Sequence, residues 1–489
     1  MYTLFYGTFI HTPSINEIEI RTNTLVGVDP TGRIDFIRYN YSKSDRDPVK
    51  FFFTNHTPSE PIKNFNFQDH SNNPLQFFFP GFVDTHIHAS QYPNVGIGIG
   101  VPLLDWLKEY TFPTENAFKQ ENMEMARDVY TKVINRTLQN GTTCASYFTT
   151  IDLPTTELFS DLLIKYGQRG FVGKVCMDHN EPYPEYAESF TDCIDVQQKI
   201  INYIDQKYPK ERREKLITPI ITPRFAPVCS EPLLETLGMV SKSQNLPIQT
   251  HIAENLKEVE LMKELFPKFE NYASVYDHFS LLTNRTILAH AVHLTDKECE
   301  IISERKCSIS HCPTSNTFLS SGEAPVKKYL KHNINVSLGT DLSGGFESSI
   351  LSIMKHSILV SHHLAITKRH SDPKKEHKDD KLSINEVMYM ATLGGAKAVG
   401  LSDMVGSFEV GKKWDAQLID LGGKDSSMDI FEWQVPSGKV VSKEYTDKVE
   451  QLLGKWVFNG DDRNCRKVWV NGKVVIDKEV KREDEWVLV

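Results

Sequence analysis

Residues 79–88 read FPGFVDTHIH: a Pro-Gly turn, a short apolar run, and two histidines one residue apart at its end. Runs of the same kind recur along the chain. They are GTTCASYFTT (141–150), FVGKVCMDHN (171–180), LITPIITPRF (216–225), PIQTHIAEN (247–255), TILAHAVHL (286–294), CSISHCPTSN (307–316) and INVSLGTDLS (334–343), which makes eight with the first. Amphipathic stretches such as ENMEMARDVYTKVINRTLQN (121–140) and SEPLLETLGMVSKSQ (230–244) lie between most of them. Parallel strands cannot be joined by tight turns and need crossovers, so strand candidates alternating with helices predict an α/β chain, a (β/α)8 TIM-like barrel over residues 76–402. A doubly wound open sheet obeys the same periodicity.

The flanks read differently. Residues 1–75 carry short alternating segments, TLFYGTFIH, TLVGVDPTGRIDFIRY and KFFFTN, with Asp29-Pro30 and Gly32 marking a turn between strands. YSKSDRDPVK (41–50) is polar and reads as a loop. Residues 403–489 pass through an irregular FEWQVPSGKVV to WVFNG segment and reach KVWVNGKVVIDKEV, where Asn471-Gly472 between two strand-like runs signals a hairpin. The two flanks are expected to form one small β-sandwich domain built from both termini. KRHSDPKKEHKDDK (368–381) is a charge run that reads as a solvated surface insertion.

Composition narrows the function classes. Apolar residues make up 40% of the 489 and charged residues 24%, as in an ordinary large-cored protein. The net charge of −9, spread along the chain, argues against a nucleic-acid or anionic-membrane partner, which needs a basic patch. The eight cysteines form no CxxC pair and read as free thiols in a reducing compartment. No basic-then-apolar leader opens the sequence, and no apolar stretch approaches the ~20 residues of a membrane helix. A cytoplasmic protein is expected.

The chemistry sits at the strand ends. Side chains at i and i+2 of a strand share a face, so His86 and His88 can aim at one ion from the mouth of a barrel. His251 ends the fifth run, His290 the sixth and Asp341 the eighth. Each alone reads equally well as a hydrogen-bonded core histidine or a helix-capping aspartate; together at matching strand ends they read as a site. Imidazoles plus a carboxylate suit Zn2+ with an open position for water, and the ligand types leave iron open. Glu254, three residues after His251, reads either as a proton shuttle or as an acidic residue favoured in a helix's first turn.

PGFVDTHIH, HIAEN, AHAVHL, HCPTSN and GTD in this order, with GSFEVGKKWDAQLID (406–420), resemble the amidohydrolase superfamily in its nucleobase-deaminase and chlorohydrolase branch. Within it, HASQYPNVG, PLLDWLKEYTFPTE, TPRFAPVCS and NYASVYD are similar to the guanine deaminases. The resemblance implies a homodimer with one metal per subunit, held by His86, His88, His251 and Asp341. It implies Glu254 as proton shuttle and His290 as the contact to the reacting water or substrate, with direct ligation left open. Gln91, Arg224 and Phe225 resemble purine-recognition residues, beside His88, His251, Glu254 and Asp341. His293 reads as structural, and Phe112 as either a stacking residue or core. A binuclear site would need a lysine ending the fourth strand, where this chain has Thr222-Pro223-Arg224. The implied reaction is hydrolysis of guanine to xanthine and ammonia. The rivals are a deaminase of a pterin, an adenosine derivative or cytosine, and an inactive scaffold.

Overall fold

The computed structural model describes residues 1–42, 47–58, 62–209, 216–371, 380–437 and 442–479. Most of the charge run, residues 372–379, and part of the polar stretch, residues 43–46, lie outside the described residues.

All eight apolar runs form strands, in order: Phe82–His88, Thr142–Phe148, Arg169–Gly173 continuing at Val175–Cys176, Ile217–Pro219 continuing at Thr222–Pro223, Ile248–Ile252, Thr286–His290, Ser308–His311 and Asn335–Leu338. Every pairing among them is parallel, and neighbours in space are neighbours in sequence. Backbone bonds carry the order across the interruptions. Gln249 N donates to Ile221 O at 2.9 Å, linking fourth to fifth; Asp341 N donates to His86 O at 2.8 Å and His88 N to Leu342 O at 3.1 Å, bringing the eighth back onto the first. Helices cross over between successive strands, among them Met123–Gln139, Leu153–Tyr166, Phe190–Lys207, Glu231–Gln244 and Asp296–Glu304. This is the TIM-type architecture expected.

The barrel interior is less apolar than the runs suggest. Thr85 Oγ1 lies 2.7 Å from Ser310 Oγ and 2.8 Å from Ser337 Oγ, while Gln249 is bonded to Ser146, Thr222 and the Tyr147 carbonyl. Each of these buried polar groups has a partner, which removes most of the cost of burying it.

Strands from both termini meet in one continuous eight-stranded sheet. Its path runs Lys473–Asp477, Cys465–Val470, Ala416–Asp420, Gln76–Pro80, Tyr2–Ser14, Glu17–Val28 and Ile34–Arg38, with Phe65–Asp69 pairing Tyr2–Ser14. Asn471 (φ 49°) and Gly472 (φ 73°) form the tight turn of the last hairpin in the left-handed region that Asn-Gly supplies. Phe5, Phe9, Phe78, Trp414 and Trp469 fill one core, with Phe5 stacked on Trp414 at 4.4 Å.

Two local expectations are corrected. KFFFTN is not a strand: Pro48–Asn55 is a helix, N-capped by Asp47, whose side chain accepts from Lys50 N, with Pro48 in the first turn. A short apolar run does not distinguish strand from helix; the Asp-Pro start signal does. The segment before the last hairpin is not irregular either. Lys443–Asn459 is a helix capped by Ser442, burying Tyr445, Val449, Leu452, Leu453, Trp456 and Val457 at helical spacing.

One ion pair ties sheet to barrel. Asp415, just before the strand Ala416–Asp420, accepts from Arg169 Nε at 3.0 Å and Nη2 at 3.2 Å, at side-chain exposures of 2% and 1%. Asp415 Oδ1 also accepts from Asn471 N at 2.8 Å. Breaking a buried pair leaves an uncompensated charge. Asp415→Ala is expected to lower stability by about 3–5 kcal/mol in urea unfolding; a loss under about 1 kcal/mol would show that the pair does not join the two units.

Candidate active site

Residues at or just beyond the C-terminal ends of the first, fifth, sixth and eighth strands meet at one point. Nε2 of His86 and of His88 lie 3.1 and 3.3 Å from Asp341 Oδ1, and Nε2 of His88 lies 3.2 Å from Nε2 of His251. His290 Nε2 faces the other side, 3.7 Å from Asp341 Oδ2 and 3.4 Å from Glu254 Oε2. Ligand atoms of His86, His251, His290 and Asp341 all lie within 4.8 Å of one another, and all four residues are buried.

Supporting bonds fix which nitrogen faces inward. His251 Nδ1 donates to Arg224 O at 2.6 Å, and His290 Nδ1 donates to Asn316 Oδ1 at 2.9 Å, so each ring turns Nε2 to the centre. Asp84, fully buried under the site, accepts from His86 N, Thr340 N and Thr340 Oγ1. It thereby locks the first strand to the eighth; burial pushes its carboxyl up to about 7 against those bonds. Four non-glycine residues here adopt left-handed backbone: Ala253 (φ 47°), His290 (φ 70°), Ala291 (φ 54°) and Asp341 (φ 46°). Such conformations cost energy and persist where the surroundings over-determine them.

The donors fit a metal ion. Nε2 of His86 and of His290 are buried without a hydrogen-bond partner among the described residues, an expensive arrangement unless a cation accepts the lone pairs. Spacings of 3.1 to 3.3 Å along the His86, Asp341, His88 and His251 series match the ~3.4 Å edge of a tetrahedron with ~2.1 Å bonds. Burial and the neighbouring His86, His88 and His290 push His251 well below the ordinary histidine range, keeping it neutral. Burial opposes ionisation of Asp341, yet His86, His88 and His290 hold it well below the usual carboxylate range. Burial, then Asp341 and Glu258, push Glu254 well above it. The two carboxyls thus favour opposite protonation states.

Glu254 owes its place to local sequence. The turn Ala253-Glu254-Asn255 joins the fifth strand to the helix Leu256–Leu265, where Asn255 and Glu258 form a capping box. Glu258 Oε2 accepts from Glu254 N at 2.7 Å and Asn255 N at 3.1 Å, holding the turn while the Glu254 side chain points over the cluster. Glu258 caps the helix, while the Glu254 side chain faces the cluster.

A cavity opens against this cluster. His88, His251, Glu254 and Asp341 line one end; Gln91, Arg224 and Phe225 line it too, with Leu103, Trp106 and Leu107 as apolar wall. Gln91 and Arg224 meet on a residue that sequence reading missed, Glu115, which accepts from Gln91 Nε2 at 2.8 Å and from Arg224 Nη1 at 2.6 Å. Phe112 packs on the Arg224 guanidinium, 5.2 Å from ring centroid to its carbon, and is not among the cavity-lining residues. His293 bonds Ser321 O at 2.8 Å and does not join the cluster. Lys174 is buried against Glu188 and Cys193, away from the cluster. Glu115, Asn316 and Glu258 carried no metal-ligand spacing; the available signals were a buried-side carboxylate in TFPTE, the Asn of HCPTSN and the Asn-x-x-Glu cap.

Comparison with known proteins agrees with this arrangement. Residues 77–475 match the Amidohydrolase family. The chain is 46% identical over 479 residues to a probable guanine deaminase of Schizosaccharomyces pombe, covering 98% of this chain and 84% of that one. It is 41% identical to guanine deaminase of Homo sapiens, over 97% of this chain and 96% of the relative. The crystal structure of guanine deaminase from C. acetobutylicum with guanine bound in its active site superposes with a TM-score of 0.80 at 33% identity, covering 97% of this chain and 100% of that one. By these matches, and by a barrel whose strand ends gather histidines and an aspartate, the chain belongs to the amidohydrolase family.

Proposed function

We propose that the protein is a guanine deaminase that hydrolyses guanine to xanthine and ammonia, with His86, His88, His251 and Asp341 holding one metal ion. One observation carries this reading: one cavity is lined by His88, His251 and Asp341 of the His/Asp cluster together with Arg224 and Gln91. Guanine presents O6 as acceptor beside N1–H as donor. Arg224 offers donors only and suits O6; Gln91 has donor and acceptor and suits the same edge. Phe225 is part of the cavity wall, where it would pack against the base. An adenine amine in place of O6 would leave a buried charged donor unpaired, which disfavours it.

His86, His88, His251 and Asp341 would hold a zinc ion, whose Lewis acidity would make water a nucleophile at neutral pH. Asp341, held ionised by the surrounding imidazoles, accepts a proton from the attacking water. Glu254, biased toward its protonated form, gives its proton to N3 as the oxygen adds at C2; as a carboxylate it then takes the proton of the new C2 hydroxyl and passes it to the departing amine as the C2–N bond breaks, and the proton held by Asp341 restores it. His290, its Nε2 between Glu254 and Asp341, hydrogen-bonds the oxygen being added. The apolar wall of Leu103, Trp106 and Leu107 keeps bulk water out, which strengthens each of these interactions. Imidazoles with one carboxylate would suit zinc and leave iron open.

A cytoplasmic setting fits the eight buried, unpaired cysteines and the absence, among the described residues, of a helix long and apolar enough to cross a membrane. The homodimer rests on the resemblance to the guanine deaminases.

Ammonia release over a panel of guanine, adenine, cytosine and a pterin, with metal quantification, is expected to single out guanine with one zinc per chain. Turnover of another base in preference would replace the substrate; a metal-free, inactive but folded protein would remove the enzyme. Arg224→Ala is expected to cut guanine kcat/KM by roughly 10²-fold through loss of a charged hydrogen bond, and unchanged turnover would exclude its role at O6. Glu254→Gln is expected to cut kcat by about 10²–10⁴-fold, with metal content intact. Stripping the metal with a chelator should abolish activity and lower thermal stability. Zinc at about 100 times its Kd should restore about 2.7 kcal/mol, and His86→Ala should remove that gain.

A further inference from the structure

Glu115 is wholly buried, at 0% side-chain exposure, and sits beneath the recognition end of the pocket. Its two oxygens divide their work: Oε1 takes the Gln91 amide NH2 at 2.8 Å, and Oε2 takes Arg224 Nη1 at 2.6 Å. Burial alone would favour the neutral acid, but Arg224 outweighs it and holds Glu115 below the usual carboxylate range. A carboxylate is acceptor-only, so the amide of Gln91 must present its NH2 to Glu115 and its carbonyl to the cavity. Arg224 in turn has one nitrogen engaged and its charge cancelled, while its remaining N–H donors stay available.

Resting on the guanine reading, we propose that Glu115 is a positioning residue that sets the pocket's specificity: it turns the Gln91 carbonyl toward N1–H and makes the pocket end electrically neutral. The pocket then admits a neutral base carrying C=O beside N–H and disfavours an anion. Without Glu115, the bare Arg224 charge would attract anionic purines, among them the deprotonated form of xanthine, the product. Retaining product is what a deaminase with an unpaired arginine would do; the ion pair prevents it. Phe112 packs against the pair, its ring centroid 5.2 Å from the guanidinium carbon.

Xanthine loses a proton near neutral pH, so one ligand of one shape tests both charge states. Equilibrium titration with xanthine at about pH 6 and about pH 9 is expected to show wild-type affinity falling roughly tenfold or more as the anion forms, because a neutral buried site does not compensate its charge. In Glu115→Gln the trend is expected to flatten or reverse. His88, Tyr186 and Arg224 are the titratable or charged groups beside Glu115, and His251, Glu254, Glu258 and Asp341 line the same cavity; because His88 and Tyr186 themselves feel the Glu115 charge, guanine KM at one fixed pH is the companion readout. Guanine KM should rise about tenfold or more with a smaller change in kcat, since a binding contact is lost. Identical xanthine profiles in a Glu115→Gln protein that melts like wild type would overturn the proposal. Should that variant fail to fold, the wild-type profile still decides, and undiminished affinity for the anion overturns it. Failure of wild type to deaminate guanine, with the xanthine contrast intact, would sink the reaction and not the role of Glu115.

Discussion

Gathering imidazole nitrogens and two carboxylates at one buried point is the constraint on which the rest of this structure depends. His86, His251, His290 and Asp341 are all buried, and Nε2 of His86 and of His290 lack a hydrogen-bond partner among the described residues. Such an arrangement is tenable only around a cation and only on a rigid frame. The frame is the parallel barrel. Asp84, by bonding both His86 N and the Thr340 backbone and hydroxyl, makes closure between first and eighth strands and alignment of the cluster the same event. The left-handed backbone at Ala253, His290, Ala291 and Asp341 lies in these strand ends and their turns, where it swings side chains over the mouth.

The opposite pull on two nearby carboxyls follows from their surroundings. Asp341 faces several imidazoles and stays charged; Glu254 faces Asp341 and Glu258 in a buried turn and favours the proton. The protonation preferences of the two carboxyls are thereby separated by environment, although the groups are chemically alike. The recognition end solves the reverse problem. There a permanently charged arginine must offer donors without imposing its charge, and Glu115 absorbs that charge from the side away from the cavity.

The end-built sheet contributes to the site at a distance. Its inner anchor, Asp415 on Arg169, is a fully buried pair with bidentate geometry, and Asn471 of the last hairpin joins the same network. One charged cluster therefore fixes the third barrel strand, the returning C-terminal chain and the hairpin turn together. A buried pair of this kind adds little over an apolar contact but penalises any misdocked arrangement.

Local pattern sufficed for the eight strands, because a short apolar run ending in polar residues is set by nearest neighbours and recurs in register with its crossovers. It also sufficed for His86, His88, His251, His290 and Asp341, whose positions at strand ends place them on the same face of a barrel once the strands are parallel. It failed where short-range signals compete: KFFFTN is apolar enough for either strand or helix, and Asp47-Pro48 decided. It was silent on Glu115, Asn316 and Asp84, because their partners lie 24 and 109, 26, and 256 residues away in the chain for Gln91 and Arg224, His290, and Thr340. What the amino-acid order alone determined was the alternation of elements and the residues able to bind a cation. Which nitrogen faces inward, which carboxyl keeps its proton and how Arg224 is neutralised were decided by tertiary structure, since each depends on burial and on a partner brought near only when the barrel closes.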